Sequence, residues 1–205
     1  NVLGGCYGST GHLSFDPNTG KQYFHTFPAV TNRDVVRAFD LLRQSLGIEQ
    51  VHTLIGGSLG GQQVLEWALH QPDVFQHIIP IATNASHSPW GIAFNEAQRM
   101  AIEADRTWKN NDQRAGIDGL KAARAIGMLS YRFYGTYGQT QAEKASDKLE
   151  DYRASTYQRY QGQKLANRFN AFTYYGLSKM MDSHHVGRNR QSIEVALKSI
   201  RAKTL

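Results

Sequence analysis

Gly56-Gly57-Ser58-Leu59-Gly60 follows a short apolar run, Val51 to Ile55, and precedes a helix-like segment, Gln62 to His70. The order is strand, sharp turn with a serine at its tip, then helix. Small residues are required there because the turn is strained and its backbone passes close to its neighbours. G-x-S-x-G between a strand and a helix is a nucleophile elbow, which pushes the serine hydroxyl out into a pocket. The helix that follows aims its positive end and free N–H groups at the same place. Ser58 is therefore the candidate nucleophile, and the Leu59 backbone N–H is the candidate donor to a developing oxyanion. A plainer use of the same residues is a glycine-rich turn in which Ser58 caps the helix.

The segments on either side build an α/β pattern. Val35, Val36, Phe39, Leu42 and Leu46 recur at helical spacing, and Gly47 stops the run. Thr31 or Asn32 can cap that helix, with Asp34 near its positive end. After the elbow, Val64, Leu65 and Ala68 point toward a core, and Pro72-Asp73 breaks the helix. Phe75–Ala82 is apolar and β-branched and predicts a second buried strand. Helix, strand, helix, strand is the pattern of a parallel sheet with crossover helices. Residues 1–30 are punctuated by glycine and proline and predict loop; no Gly-Lys-Ser/Thr follows to make a phosphate cradle.

Past Asn84 no further strand is expected. Helical periodicity predicts helices at about 91–103, 114–131, 145–161, 164–181 and 191–202. Helices inserted after a sheet strand form a lid. The expected division is residues 1–87 for the core with the elbow, 88–190 for the lid, and 191–205 for a helix returning to the core. Within the lid, Ile117, Leu120, Arg124, Gly127 and Tyr131 share one helix face. An arginine in such a stripe predicts a buried guanidinium that needs an anion. Gly127 leaves a gap beside it. Two uses stay open: an ion pair with a carboxylate of this chain, or a bidentate clamp for a substrate carboxylate with the Tyr131 hydroxyl nearby.

Composition limits the function classes. Across 205 residues, 40% are hydrophobic and 20% charged, as in a soluble globular protein. The formal charge of +6 is scattered rather than blocked, which argues against nucleic acid and suits an anionic substrate. No apolar run reaches membrane-spanning length. The single cysteine, Cys6, excludes an internal disulfide and a cysteine metal cluster; no metal site is expected, and a reducing cytoplasm fits.

Several stretches resemble the homoserine O-acetyltransferase family. They include Asn1-Val2-Leu3-Gly4-Gly5-Cys6-Tyr7-Gly8-Ser9-Thr10-Gly11 and Gly56-Gly57-Ser58-Leu59-Gly60-Gly61-Gln62-Gln63-Val64-Leu65-Glu66-Trp67. Ile92-Ala93-Phe94-Asn95-Glu96, Tyr160-Gln161-Gly162, Arg168-Phe169 and Met181-Asp182 with His185-Val186-Gly187-Arg188 also match, so the resemblance runs nearly end to end. It implies an α/β-hydrolase fold, a parallel sheet core with an inserted helical lid. It also implies ping-pong transfer of an acetyl group from acetyl-CoA, through an acyl-serine at Ser58, to the hydroxyl of L-homoserine. That step leads toward methionine and needs no bound cofactor. The resemblance assigns Arg124 to the amino-acid carboxylate, with Tyr131 one stripe-step on, and implies a cytoplasmic homodimer joined through lid helices. The chain departs from the family pattern at His12, Leu59, Gln63 and the His184-His185 pair.

A nucleophilic serine needs a histidine base and an orienting acid. In the family these follow the lid, beyond Leu205, so this chain is expected to be the central part of a longer enzyme and inactive by itself. Asp182 with His184 or His185 is the in-chain pair in the right order, but the two lie too close along one segment to come from separate loops. Related chemistries share the elbow: transfer from succinyl-CoA, transfer to serine, hydrolysis by a serine esterase, or no catalysis in a hydrolase-fold binding protein.

Overall fold

The computed structural model describes residues 1–144 and 147–205. The expected strand at the elbow is β1 (Val51–Gly57), and the one after it is β2 (Phe75–Ile81). They pair in parallel, with Val51 opposite Phe75 and Gly57 opposite Ile81. Parallel neighbours need a crossover, and α2 (Leu59–His70) supplies it. Before them, α1 (Asn32–Ser45) starts at Thr31, whose N–H and hydroxyl both donate to the Asp34 carboxylate. The cap is thus Thr31 rather than Asn32. Val35 and Val36 of the α1 stripe are buried, whereas Leu42 and Leu46 are exposed.

The lid follows as α3 (Pro89–Glu103), α4 (Ile117–Ser130), α5 (Tyr134–Gln141), α6 (Arg153–Ala166) and α7 (Ala171–Asp182). Two differences from the periodicity have clear causes. The span expected as one helix from 164 to 181 is split, because Asn170 turns the chain and its side chain accepts from the Thr173 N–H at 2.8 Å. A polar cap ends one helix and starts the next without interrupting the apolar spacing. Helix α5 carries no buried residue, so it left no apolar stripe to read. The helix expected from 145 begins at Arg153; Ala145 and Ser146 lie outside the described residues.

The chain returns through α8 (Ile193–Lys198) to a two-residue strand, β3 (Lys203–Thr204). This strand corrects the expectation that none follows Asn84. It pairs in parallel with β2, giving the order β1-β2-β3. Two residues carry no alternation signal; only the partner strand makes them a strand.

Three hydrophobic clusters result among the described residues, the smallest joining Phe24, Ala115 and Phe172. One joins Val64, Leu65 and Ala68 of α2 to Val74, Phe75, Ile78, Val186 and Ala196 beside the sheet. Another joins Ile102, Leu120, Ala123, Leu165 and Ala171 among the lid helices. Close helix approach in the lid is set by glycine: a Cβ on Gly119 would lie 2.6 Å from the Ala101 carbonyl oxygen, and one on Gly162 2.6 Å from that of Lys121. Where the lid leaves and rejoins the core, His184–Val186 runs antiparallel to Ala85–His87. The Val186 N–H donates to Ala85 and the His87 N–H to His184.

Candidate active site

Ser58 sits at φ 54° and ψ −120°, a strained conformation for any residue with a side chain. The surroundings fix it from several sides. Its N–H donates to the Ile81 carbonyl at 2.9 Å, and its own carbonyl accepts from the Gly61 and Gln62 N–H groups and from the Thr83 hydroxyl. Ala82, next to its acceptor, is also left-handed, at φ 47°. The Ser58 side chain is exposed and makes no capping hydrogen bond to α2. The helix-cap role is therefore not what this serine does here. The Leu59 N–H has no partner among the described residues, and it opens the positive end of α2.

The glycines explain how the turn closes. A Cβ on Gly56 would lie 2.6 Å from the Gly60 carbonyl carbon and 2.9 Å from a Val64 methyl. One on Gly61 would lie 2.6 Å from the Thr83 Cβ. Gly60 faces open space.

Beneath the elbow lies a buried polar network. Gln62 is 2% exposed. Its side chain accepts from Asn32 at 3.1 Å, donates to Asn84 at 3.2 Å and meets His87 Nδ1 at 3.5 Å. His87 Nε2 meets Asn95 of α3 at 3.3 Å, and Asn95 donates to Asp182 at 2.7 Å. The other Asp182 oxygen pairs with Arg99 at 2.6 Å. Asp182 is thus the anion for a buried arginine. His184, 4% exposed, meets the Asn84 carbonyl through Nε2 at 3.1 Å. Burial pushes its pKa down to about 4. None of Asp182, His184 and His185 forms a hydrogen bond with Ser58.

The α4 stripe also takes shape. Leu120 is fully buried in the lid cluster, while Arg124 is only half-buried, a correction to the buried guanidinium expected from the stripe. The buried face of α4 runs through Gly119, Leu120, Ala123 and Gly127, which leaves Arg124 at its edge. Tyr131 stands 65% exposed at the end of α4 with its ring 5.4 Å from the Arg124 guanidinium carbon. Among the described residues no carboxylate pairs with Arg124, so the intrachain ion pair is not formed. The gap at Gly127 is occupied by Gln98 and Tyr174: a Cβ there would lie 2.7 Å from Gln98 Oε1 and 3.4 Å from the Tyr174 hydroxyl. Sequence reasoning missed both. Tyr174 lies on another helix 50 positions from Arg124, and no local pattern links them.

The structure brings Ser58 together with Leu59, and Arg124 with Tyr131. No hydrogen bond among the described residues joins the two pairs. A cavity of about 470 Å³ lies elsewhere, between the N-terminal loops and α7, walled by His12, His25, Trp108, Phe172 and Tyr175. Neither pair lines it. No helix among the described residues is long and apolar enough to cross a membrane.

Comparison with known proteins agrees with this geometry. The family described as alpha/beta hydrolase fold matches residues 1–189. A curated homoserine O-acetyltransferase of Cyclobacterium marinum is 54% identical over 205 residues, which is all of this chain and 58% of that protein. The crystal structure of homoserine O-acetyltransferase from Staphylococcus aureus is 31% identical with a TM-score of 0.76, covering all of this chain and 54% of that one. That of esterase E22 is 27% identical with a TM-score of 0.83, covering 96% and 56%. The chain thus spans a little over half the length of the relatives it matches. With a strained serine between a parallel strand and a helix, a lid inserted after the next strand, and a profile match over most of its length, the chain belongs to the alpha/beta hydrolase fold family.

Proposed function

We propose that this chain carries the nucleophile and the acceptor clamp of a homoserine O-acetyltransferase. The observation that carries the proposal is the 54% identity, along the whole of this chain, to the Cyclobacterium marinum protein, in a chain whose elbow serine is strained, exposed and free of any cap. In this reading Ser58 Oγ attacks the thioester carbonyl of acetyl-CoA, and the Leu59 N–H donates to the oxyanion that forms. The C–S bond breaks and coenzyme A leaves as the thiol, giving acetyl-Ser58. The homoserine hydroxyl then attacks the ester carbonyl, and O-acetyl-homoserine leaves with the Ser58 hydroxyl restored. Arg124 holds the homoserine carboxylate by paired N–H donors. A role in methionine biosynthesis, a cytoplasmic location and a homodimer formed through the lid belong to the same proposal. Phe133 and Tyr134, 77% and 92% exposed where α5 begins, support the dimer.

The test is to incubate the full-length protein with acetyl-CoA alone and map the acetyl group by mass spectrometry. It should sit on Ser58, be discharged by homoserine, and be missing in Ser58→Ala. An enzyme that used succinyl-CoA in preference, or serine as acceptor, would correct the substrate and keep the mechanism. A second reading, serine esterase, is favoured by the likeness to esterase E22. It predicts that water discharges acetyl-Ser58 as fast as homoserine does, and that Arg124→Ala leaves turnover intact.

A further inference from the structure

We infer that Tyr174 is a positioning residue for Arg124: its hydroxyl, anchored by Gln98 in the notch at Gly127, holds the guanidinium in the orientation that receives the acceptor's carboxylate. The inference rests on the proposal that Arg124 is the carboxylate clamp, and it adds a residue and a mechanism to it.

The hydrogen bonds set the direction of each proton. Gln98 of α3, 5% exposed, donates through Nε2 to the Phe94 carbonyl at 2.8 Å. That bond fixes its amide, so Oε1 is the atom turned toward α7. The Tyr174 hydroxyl donates its proton to that oxygen. A phenol whose proton is committed in this way offers only lone pairs to a further neighbour. The hydroxyl lies 3.4 Å from the Cβ position of Gly127, one turn along α4 from Arg124, a group with donors and no acceptor. Burial raises the Tyr174 pKa to about 12, with Arg124 acting in the opposite sense, so the phenol remains neutral at physiological pH.

Gly127 makes the arrangement possible, because any side chain there would collide with Gln98 Oε1. Tyr131 bounds the guanidinium with its ring. On this inference the arginine is held by that ring and by the Tyr174 hydroxyl. With no carboxylate of the described residues paired to it, its remaining N–H donors stay available. A long flexible side chain pre-set in this way loses less entropy when it binds a planar anion.

The experiment is steady-state kinetics on the full-length enzyme with Tyr174→Phe, Gly127→Ala and Arg124→Ala. Homoserine is compared with 3-aminopropan-1-ol, the same alcohol without the carboxylate. Loss of one hydrogen bond to a charged group should raise the homoserine KM about tenfold in Tyr174→Phe. The KM for acetyl-CoA and the rate of Ser58 acetylation should hold within about twofold, and the carboxylate-free alcohol should be used equally well by variant and parent. Gly127→Ala should repeat the pattern through displacement of Gln98. An unchanged homoserine KM in Tyr174→Phe, or an equal loss with both alcohols, overturns the inference. If Arg124→Ala raises the homoserine KM and Tyr174→Phe does not, the positioning role alone is lost. If Arg124→Ala also leaves it unchanged, the clamp itself is wrong.

Discussion

A side chain on Gly56 would strike the Gly60 carbonyl group, whereas one on Gly60 would meet nothing within 4 Å. The two glycines of the G-x-S-x-G stretch thus answer to different demands. Gly56→Ala is expected to destabilise the fold by about 1–3 kcal/mol, because the obstacle is backbone and cannot rotate away. Gly60→Ala, on the first turn of α2, should be neutral or slightly stabilising; urea denaturation of the two variants checks the contrast. His184 offers a second test at this scale. Its Nε2 donates to the Asn84 carbonyl, Asn32 lies 3.5 Å from its Nδ1, and burial holds its pKa near 4, below the ordinary 6.5. The unfolded chain therefore binds a proton that the folded one refuses. This contribution to stability is complete above pH 6.5 and declines as the pH falls toward 4, by at most about 3 kcal/mol. His184→Gln should flatten that part of the pH–stability curve; an unchanged slope would show that the imidazole titrates normally in the fold.

Between elements, the polar network replaces apolar packing where the lid meets the core. Arg99 of α3 reaches Asp182 at the end of α7 and Ser178 one turn earlier, and it also pairs with Glu96 on its own helix. Removing one partner of such a buried pair leaves an uncompensated charge. Arg99→Met should cost about 3–5 kcal/mol, and pairing it with Asp182→Asn should recover much of that loss. A double-mutant cycle by thermal or chemical denaturation measures the coupling. The same elements bear on assembly. Phe133 and Tyr134 are largely exposed within the described chain. If the lid forms the proposed homodimer through them, Phe133→Asp with Tyr134→Asp should shift the full-length protein to monomer in sedimentation velocity, while the single-turnover acetylation of Ser58 continues.

At the scale of the whole molecule, the sheet orders β1-β2-β3 and leaves the outer edge of β1 without a partner among the described residues. Ile55 and Ile81 on the strands, Leu41 and Leu42 on α1, and Leu46 just past its end are exposed. Parallel strands are stable when covered on both faces and paired at both edges. The 205 residues expressed by themselves should therefore bind a hydrophobic dye strongly and fail to turn over acetyl-CoA and homoserine. Cooperative unfolding without dye binding, or turnover of the two proposed substrates by these residues alone, would refute this.

Elbow, lid and the Arg124 stripe of α4 were legible in the residues because each depends on local order. A serine among small residues between a strand and a helix, apolar spacing of three and four, and an arginine in such a stripe all survive reading along the chain. The pairing of Lys203–Thr204 with β2, the capture of Asp182 by Arg99, and the meeting of Gln98 and Tyr174 beside Gly127 were not legible. Each joins residues far apart in sequence, and neither partner carries a mark of the other. Local propensity selects helix or strand from neighbouring residues alone. Which buried charge is neutralised by which, and which hydroxyl faces which guanidinium, is settled only when packing brings the elements together and every desolvated polar group must find a partner.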